Sequence, residues 1–513
     1  MPKLALHFGL LWRVIGCYKP AMHFLRGFIL ALATLISAHA APAEWFAIHV
    51  VDEQTGRGVP LVSLTTTNAI THVTDSAGWI AFNEPGLMER EVYFSVSAPG
   101  NVVPKDGFGF SGLRLKPKLG KMVEVKMMRL NIAERLYRVT GQGIYRDSEL
   151  LGIACPLPKA NFNATMGQDS VQALPWQGRL FWLWGDTNLA HYPLGNFHTT
   201  CAWSDLTDKG GLSAAEGVHL EYLTGEDGKV RQMLPMEAPD PVWIFGLLVV
   251  ADAAGKEHLM GHFGRFKDLA KRLEHGIAEY NEAQGRFTPV TVLGDEFDWQ
   301  HPEGNAVRVK DGDGDFFYFT DSFVMTRVPA KYDDIINPAA YEALAWSAKE
   351  QDYLWQKTAA PGTQSGEAKA ISEKKMPASR ALMQLKDALS GKPVQIHRSS
   401  VNWNAYRKAW IMIGNQSKGD VSQLGEVWYA EARTPSGPWF KAVKIASHPS
   451  YTFYNPRQHV FFDQDGGKVI YFEGTYANTF SGNPVATPRY DYNQLMYRLD
   501  LSDPRLDVVK KTK

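Results

Sequence analysis

The chain has 513 residues, with 54 Lys and Arg balanced against 54 Asp and Glu, so composition gives no electrostatic footprint for nucleic acid or an anionic membrane surface. Three cysteines, no His/Cys cluster at zinc spacing and no G-x-S-x-G elbow exclude a disulfide scaffold, a structural zinc site and an elbow-type serine hydrolase. The length exceeds one small domain and allows several, or one large repeating fold with an appendage.

The chain opens on a leader pattern. Arg26 precedes an apolar run at 27–36, and Ala38-His39-Ala40 offers an A-x-A cleavage site. An internal start at Met22 gives this leader a more ordinary length. The run is too short for a stable membrane span, and no second run of spanning length follows. Residues 1–40 are therefore expected to be a signal peptide, and the mature chain to be secreted or periplasmic. Cys17 leaves with the leader. Cys155 and Cys201 remain, either as a staple in an oxidising compartment or as two separate thiols.

Residues 44–130 alternate strand-like runs with Gly-bearing turns, the pattern of an immunoglobulin-like β-sandwich. The segment V-D-x-x-T-G-x-x-V-P followed by T-D-x-x-G-x-x-x-F is carried by Asp52, Thr55, Gly56, Pro60, Thr74, Asp75, Gly78 and Phe82. It resembles the carboxypeptidase regulatory-like β-sandwich, which implies a supporting or docking module without chemistry of its own. Residues 131–160 read as a connector. Gly141 and Gly143 stand there without a phosphate-loop pattern, and Arg146 and Asp147 either pair or reach into the repeating part beyond it.

From 161 to 506 the chain repeats one shape. Hairpin units occur at 167–188 (GQDSVQALPWQGRLFWLWGDTN), 239–266, 301–323, 400–416 and 455–476. Five such units in succession are the sequence signature of a β-propeller. The fold class expected is thus all-β, an N-terminal sandwich followed by a five-bladed propeller, and the chain reads as a monomer. Asp311 to Asp315 (DGDGD) mimics a calcium loop, but Phe316 stands where such a loop needs Gly, so a hairpin turn is the reading. A helical insertion is expected at about 335–392. Residues 341–356 and 371–389 are rich in Ala, Lys, Glu, Leu and Met, with a flexible loop at 360–368 between them. At a propeller rim such an insertion reads as a cover over the pocket.

The order of these motifs resembles the five-bladed propeller glycoside hydrolases of the arabinanase and β-xylosidase kind. Asp169 stands before the first hairpin. Asp240-Pro241 with 252–259 matches the second-blade unit, and Glu303-Gly304 with DFFYF (315–319) the third. AEARTPSGPW (430–439) and QHVFFDQDGG (458–467) resemble the late turns. The sequence departs from that plan at Asn305, where a proline is usual, and in its insertion. The resemblance implies hydrolysis of a polysaccharide or oligosaccharide, with Asp169 as base, Glu303 as acid and Asp240 as the orienting modulator. The chemistry needs one ionised and one protonated carboxyl held apart in pKa by their surroundings. Asp186, Asp321 and Glu473, at or near the ends of second strands, form a rival catalytic set or a set of substrate ligands, as do Asn404 and His459 as ligands. The resemblance places a histidine near the propeller axis, often beside an ion; His459 is read either as a structural histidine or as the neighbour of a calcium or other ion. No cofactor is required. The alternative from another class is a non-catalytic propeller that binds glycan or protein at the cell surface.

Overall fold

The computed structural model describes residues 42–510 except 161, 164, 191, 197, 238–239, 268–270 and 490. The leader expected at 1–40 lies outside the described residues. The described chain is mostly β-strand with few and short helices, and none of those helices is long and apolar enough to cross a membrane.

The N-terminal part forms two four-stranded sheets. One is ordered Trp79–Phe82, Phe46–Asp52, Met122–Arg129, Asn101–Val102, and the other Thr71–Val73, Ser63–Thr66, Val92–Ser97, Gly112–Leu115. Side chains two apart point to one face of a strand. Phe46, Ile48 and Val50 thus meet Leu64, Phe94 and Met127 in a single buried core, each worth about 1.5–3 kcal/mol of removed apolar surface. The T-D motif has a mechanical reason. Thr74 Oγ1 donates to the Val59 carbonyl at 2.7 Å and accepts from Val62 N–H at 2.8 Å. Asp75 accepts from Ala77 N–H and, across to the connector, from both N–H and Oγ of Ser148 at 2.7 Å. Arg146 pairs with Asp147 at 3.1 Å, and Asp147 also holds Arg489 and the Ala81 N–H. These bonds fasten the sandwich-like sheets to the connector, and the connector to the segment that carries Arg489.

Among the described residues, five further sheets of four or five strands come next in chain order. They begin with Gln172–Trp176, Val242–Ala251, Asn305–Asp311, Ile396–Asn404 and Thr452–Gln458. Each first strand pairs antiparallel with the strand after it, the hairpin that the sequence repeats. First strands of successive sheets touch one another. The cycle closes where Arg457 Nη2 donates to the Ala173 carbonyl at 3.1 Å and Asn455 Nδ2 to Ser170 Oγ at 2.7 Å. The last sheet is completed by Glu134–Arg138, which pairs with Asn493–Asp500. This strand falls in the segment expected to be connector, because burial at every one of its positions leaves no polar alternation to mark it. DGDGD is a hairpin turn between Asn305–Asp311 and Gly314–Thr320.

The insertion differs from the sequence expectation. Residues 341–356 form a hairpin, Glu342–Ser347 with Asp352–Gln356, added to the third sheet. The good helix formers there are overridden by strand pairing. A helix instead occupies Gln364–Ser372, beginning in the stretch expected to be a loop, and Thr363 caps it by accepting from Gly366 N–H. A Thr standing immediately before the first helical residue is a signal that could have found it. Residues 373–389 hold only short turns and the strand Lys386–Asp387. The segment is no loose cover. Buried Glu367 accepts from Leu382 N–H, Met383 N–H, Gln384 Nε2 and Tyr353 OH at 2.7–2.9 Å. Glu367→Ala leaves those donors without an acceptor and is expected to cost about 2–4 kcal/mol, read as a lower midpoint in urea unfolding. Cys155 and Cys201 are free thiols, Cys201 fully buried, so the staple is not formed.

Candidate active site

The N-terminal ends of the first strands lie on one face of the ring, and acidic residues collect there. Asp169 precedes Gln172–Trp176 and Asp186 follows Arg179–Trp184, so antiparallel pairing returns the second acid to the first. The Asp186 N–H donates to Asp169 Oδ1 at 2.9 Å. Tyr492 and Tyr454 hydroxyls donate to Asp169 Oδ2 at 2.6 and 3.0 Å. Trp243 Nε1 donates to Asp186 Oδ1 at 2.7 Å. Gly185 makes this approach feasible, since a Cβ there would lie 2.4 Å from Asp169 Oδ1. Ser170, between the acid and its strand, holds φ +53°, the kind of backbone strain that gathers at functional sites.

Both carboxyls are half-buried, and burial raises both above the ordinary range. They part company in their partners. Asp169 gains hydrogen bonds from Tyr492, Tyr454 and the Asp186 N–H, which favour its charged form against the desolvation. Asp186 is pushed up to about 8 by burial and by the charge of Asp169. Three donors on Asp169 against one on Asp186 favour the charge on Asp169 and the proton on Asp186.

Glu303 opens the third sheet as expected, but its partner is a cation. Arg398 Nη2 donates to Glu303 Oε2 at 2.9 Å, and Arg398 Nη1 pairs with Asp321. Gly304 lets the loop return over the sheet, because a Cβ there would meet the Thr320 carbonyl oxygen at 2.0 Å. Asp240 is drawn into a pair with Arg265 at 2.6 Å, which also holds Glu274 at 3.2 Å. A narrow axial cavity of about 70 Å³ is bordered by Ser170, Phe245, Glu303, Asn305, Arg398 and Asn455, so Glu303 and the residue after Asp169 face one space.

The remaining predicted residues lie elsewhere. Glu473 is mid-strand and fully buried, opposite Arg457 in register, rather than at a strand end. Arg457 spans the axis, donating to Asn305 Oδ1 at 2.5 Å as well as to Ala173 O; burial draws it down to about 10, with Glu473 opposing. His459 is buried against Trp182, its Nε2 3.5 Å from Glu473 Oε2. Among the described residues no three His, Cys, Asp or Glu side chains converge on one point. Asn404 ends its strand at the opposite side, bonded to Gly467 O and Arg407 N–H, a turn-fixing role.

Sequence reasoning missed Tyr454, Tyr492, Trp243 and Arg398. Arg398 was findable, since it stands near the start of a first strand as the acids do; the hairpin pattern at 400–416 begins two residues past it. The tyrosines lie 285 and 323 residues from Asp169 and carry no local signal.

No family model matches the chain, and no curated relative matches it. Among solved structures, an exo-beta-1,3-galactanase from Phanerochaete chrysosporium aligns with TM-score 0.34 and 8% identity, over 66% of this chain and 61% of that one. The GH43_1 enzyme from Xanthomonas citri complexed with xylose gives 0.33 and 9%, over 65% and 86%. An alpha-L-arabinanase from Penicillium chrysogenum complexed with arabinobiose gives 0.33 and 12%, over 72% and 99%. The chain thus spans less than two thirds of the galactanase's length. Alignments this loose carry nothing about chemistry, which the residues themselves must supply.

Proposed function

We propose that this chain is an exported glycoside hydrolase whose five sheets are the blades of a propeller, preceded by a carboxypeptidase regulatory-like sandwich that supports it. The observation that carries the reading is the Asp169–Asp186 pair, two half-buried carboxyls at the ring face joined by the Asp186 N–H, whose donors favour the charge on Asp169 and the proton on Asp186. Asp186 donates that proton to the glycosidic oxygen as the bond breaks. Asp169, held ionised by Tyr454, Tyr492 and a backbone N–H, attacks the anomeric carbon. Two carboxyls linked through the Asp186 N–H at 2.9 Å suit the roughly 5–5.5 Å separation of retaining enzymes better than the roughly 6.5–9.5 Å of inverting ones, so the product keeps its anomeric configuration. Glu303 and Arg398 then bind and orient the sugar beside the pair.

A second reading keeps Asp169 as base and gives Glu303 the acid role, with inversion; it is favoured by the axial cavity that Ser170 and Glu303 share. Screening the purified protein on plant, algal and bacterial polysaccharides, and then following the first-formed anomer by proton NMR, tests both. Retention supports the aspartate pair, and inversion supports Glu303. A protein that binds a glycan and never cleaves it is the non-catalytic propeller.

A further inference from the structure

Beside the axial cavity lies a second, larger one of about 410 Å³ that shares Glu303 and Arg398 with it. Its size falls within the roughly 300–1,000 Å³ of small-molecule sites. Trp299 and Phe323 give it an apolar side, and Asp321 and Thr326 a polar one. Its outer wall is contributed by the insertion, through residues 361–365, with Gln395 beside them. That wall is fixed in place. Besides the Glu367 bonds, Gln364 Nε2 donates to the Met383 and Val394 carbonyls at 2.9 Å, and Gln364 Oε1 accepts from Ile396 N–H at 3.1 Å.

We infer that this pocket is a subsite for a neutral sugar unit adjoining the one held at the axial cavity, so that the insertion sets the glycan length the protein prefers. The inference rests on the glycosidase reading and names the substrate class of that site. Its charge decides neutral against acidic. Both lining guanidiniums are already engaged, Arg398 by Glu303 and Asp321 and Arg272 by Asp298. Three carboxylates to two cations leave nothing to hold a uronate and a net field against it. An aromatic face with paired polar groups instead meets a sugar ring's C–H surface and its hydroxyls. Because the wall is rigid, little ordering is lost on binding, and contacts remote from the scissile bond can be realised in the transition state.

The test uses arabino-, xylo- and β-1,3-galacto-oligosaccharides of two to six units, with oligogalacturonides as the acidic series. In the native protein, kcat/KM on the cleaved neutral series should rise roughly tenfold when the extra unit is added, as one filled pocket provides. Ser365→Trp and Gln395→Trp, exposed positions that line the pocket, each fill it and should flatten that rise. A rise that persists in both variants, or a preference for the oligogalacturonides, overturns the subsite. If the native protein cleaves no series, the glycosidase reading fails, and calorimetry on the same ladders judges the pocket alone. Affinity that grows with length in the native protein and not in the variants supports it; absence of binding overturns it.

Discussion

Asp169→Asn and Asp186→Asn are each expected to lower kcat by about 10³-fold or more, with the fold intact. General acid–base steps contribute roughly 10²–10⁴, and loss of the attacking carboxylate removes the covalent route altogether. The two variants should separate on activated substrates. An aryl glycoside with a good leaving group needs no proton from the enzyme, so Asp186→Asn should regain much of its loss in the first step, whereas Asp169→Asn should not. Glu303→Gln weakens the grip of Arg398 and is expected to act mainly through KM, by about 10-fold. Steady-state kinetics with an aryl glycoside and an oligosaccharide distinguish these outcomes. A dead Glu303→Gln beside an active Asp186→Asn would transfer the acid role to Glu303.

The same pair sets a pH dependence of both rate and stability. On the proposed roles Asp186 acts protonated and Asp169 ionised, so kcat should form a bell. Its alkaline limb lies near 8, where Asp186 loses its proton, and its acid limb lies above the usual carboxylate range because burial raises Asp169. For stability the sign is the reverse of the common aspartate case. The folded pKa of Asp186 is raised from 3.8 to about 8, so between those values the folded state binds more protons than the unfolded one. Stability therefore falls as pH rises through this window. Asp186→Asn removes the penalty. It should melt close to the native protein at about pH 3.5 and higher than it at pH 9, by about 1–3 kcal/mol once solvent access at the ring face is allowed for. Thermal melts of the two proteins at both pH values check the sign. A variant less stable at pH 9 would show that the pair is not held under mutual repulsion.

Much of this architecture was readable from period and punctuation. The hairpin at 167–188 alternates through Gln172–Trp176 and turns at Gly178, and its register in the fold follows that alternation. The same holds for the units at 301–323 and 400–416. Local pattern failed where a tertiary neighbour decided the outcome. Residues 342–347 have helix-forming side chains but face the free edge of Val324–Pro329, which recruits them as strand. The site was half legible. Asp169 and Asp186 are close in sequence, and the antiparallel return that joins them could be argued from strand geometry. What differentiates them chemically, the hydroxyls of Tyr454 and Tyr492, arrives from the far end of the chain. Glu303 and Asp240 stand where the motifs put them, and the arginines that occupy them were not part of the motif.

The strand Glu134–Arg138 completes the last sheet by pairing with Asn493–Asp500, so the segment that seals the ring is made before any of its other strands. A growing chain carries this strand unpaired until its late residues emerge, because its ladder partner, Asn493–Asp500, is near the C-terminus. Closure over such a sequence distance is entropically late, and every earlier sheet waits with an open flank that invites mispairing. Assembly should accordingly be slow and all-or-none. Nonsense truncations even shortly before Asn493 would yield aggregates rather than a smaller, functional ring.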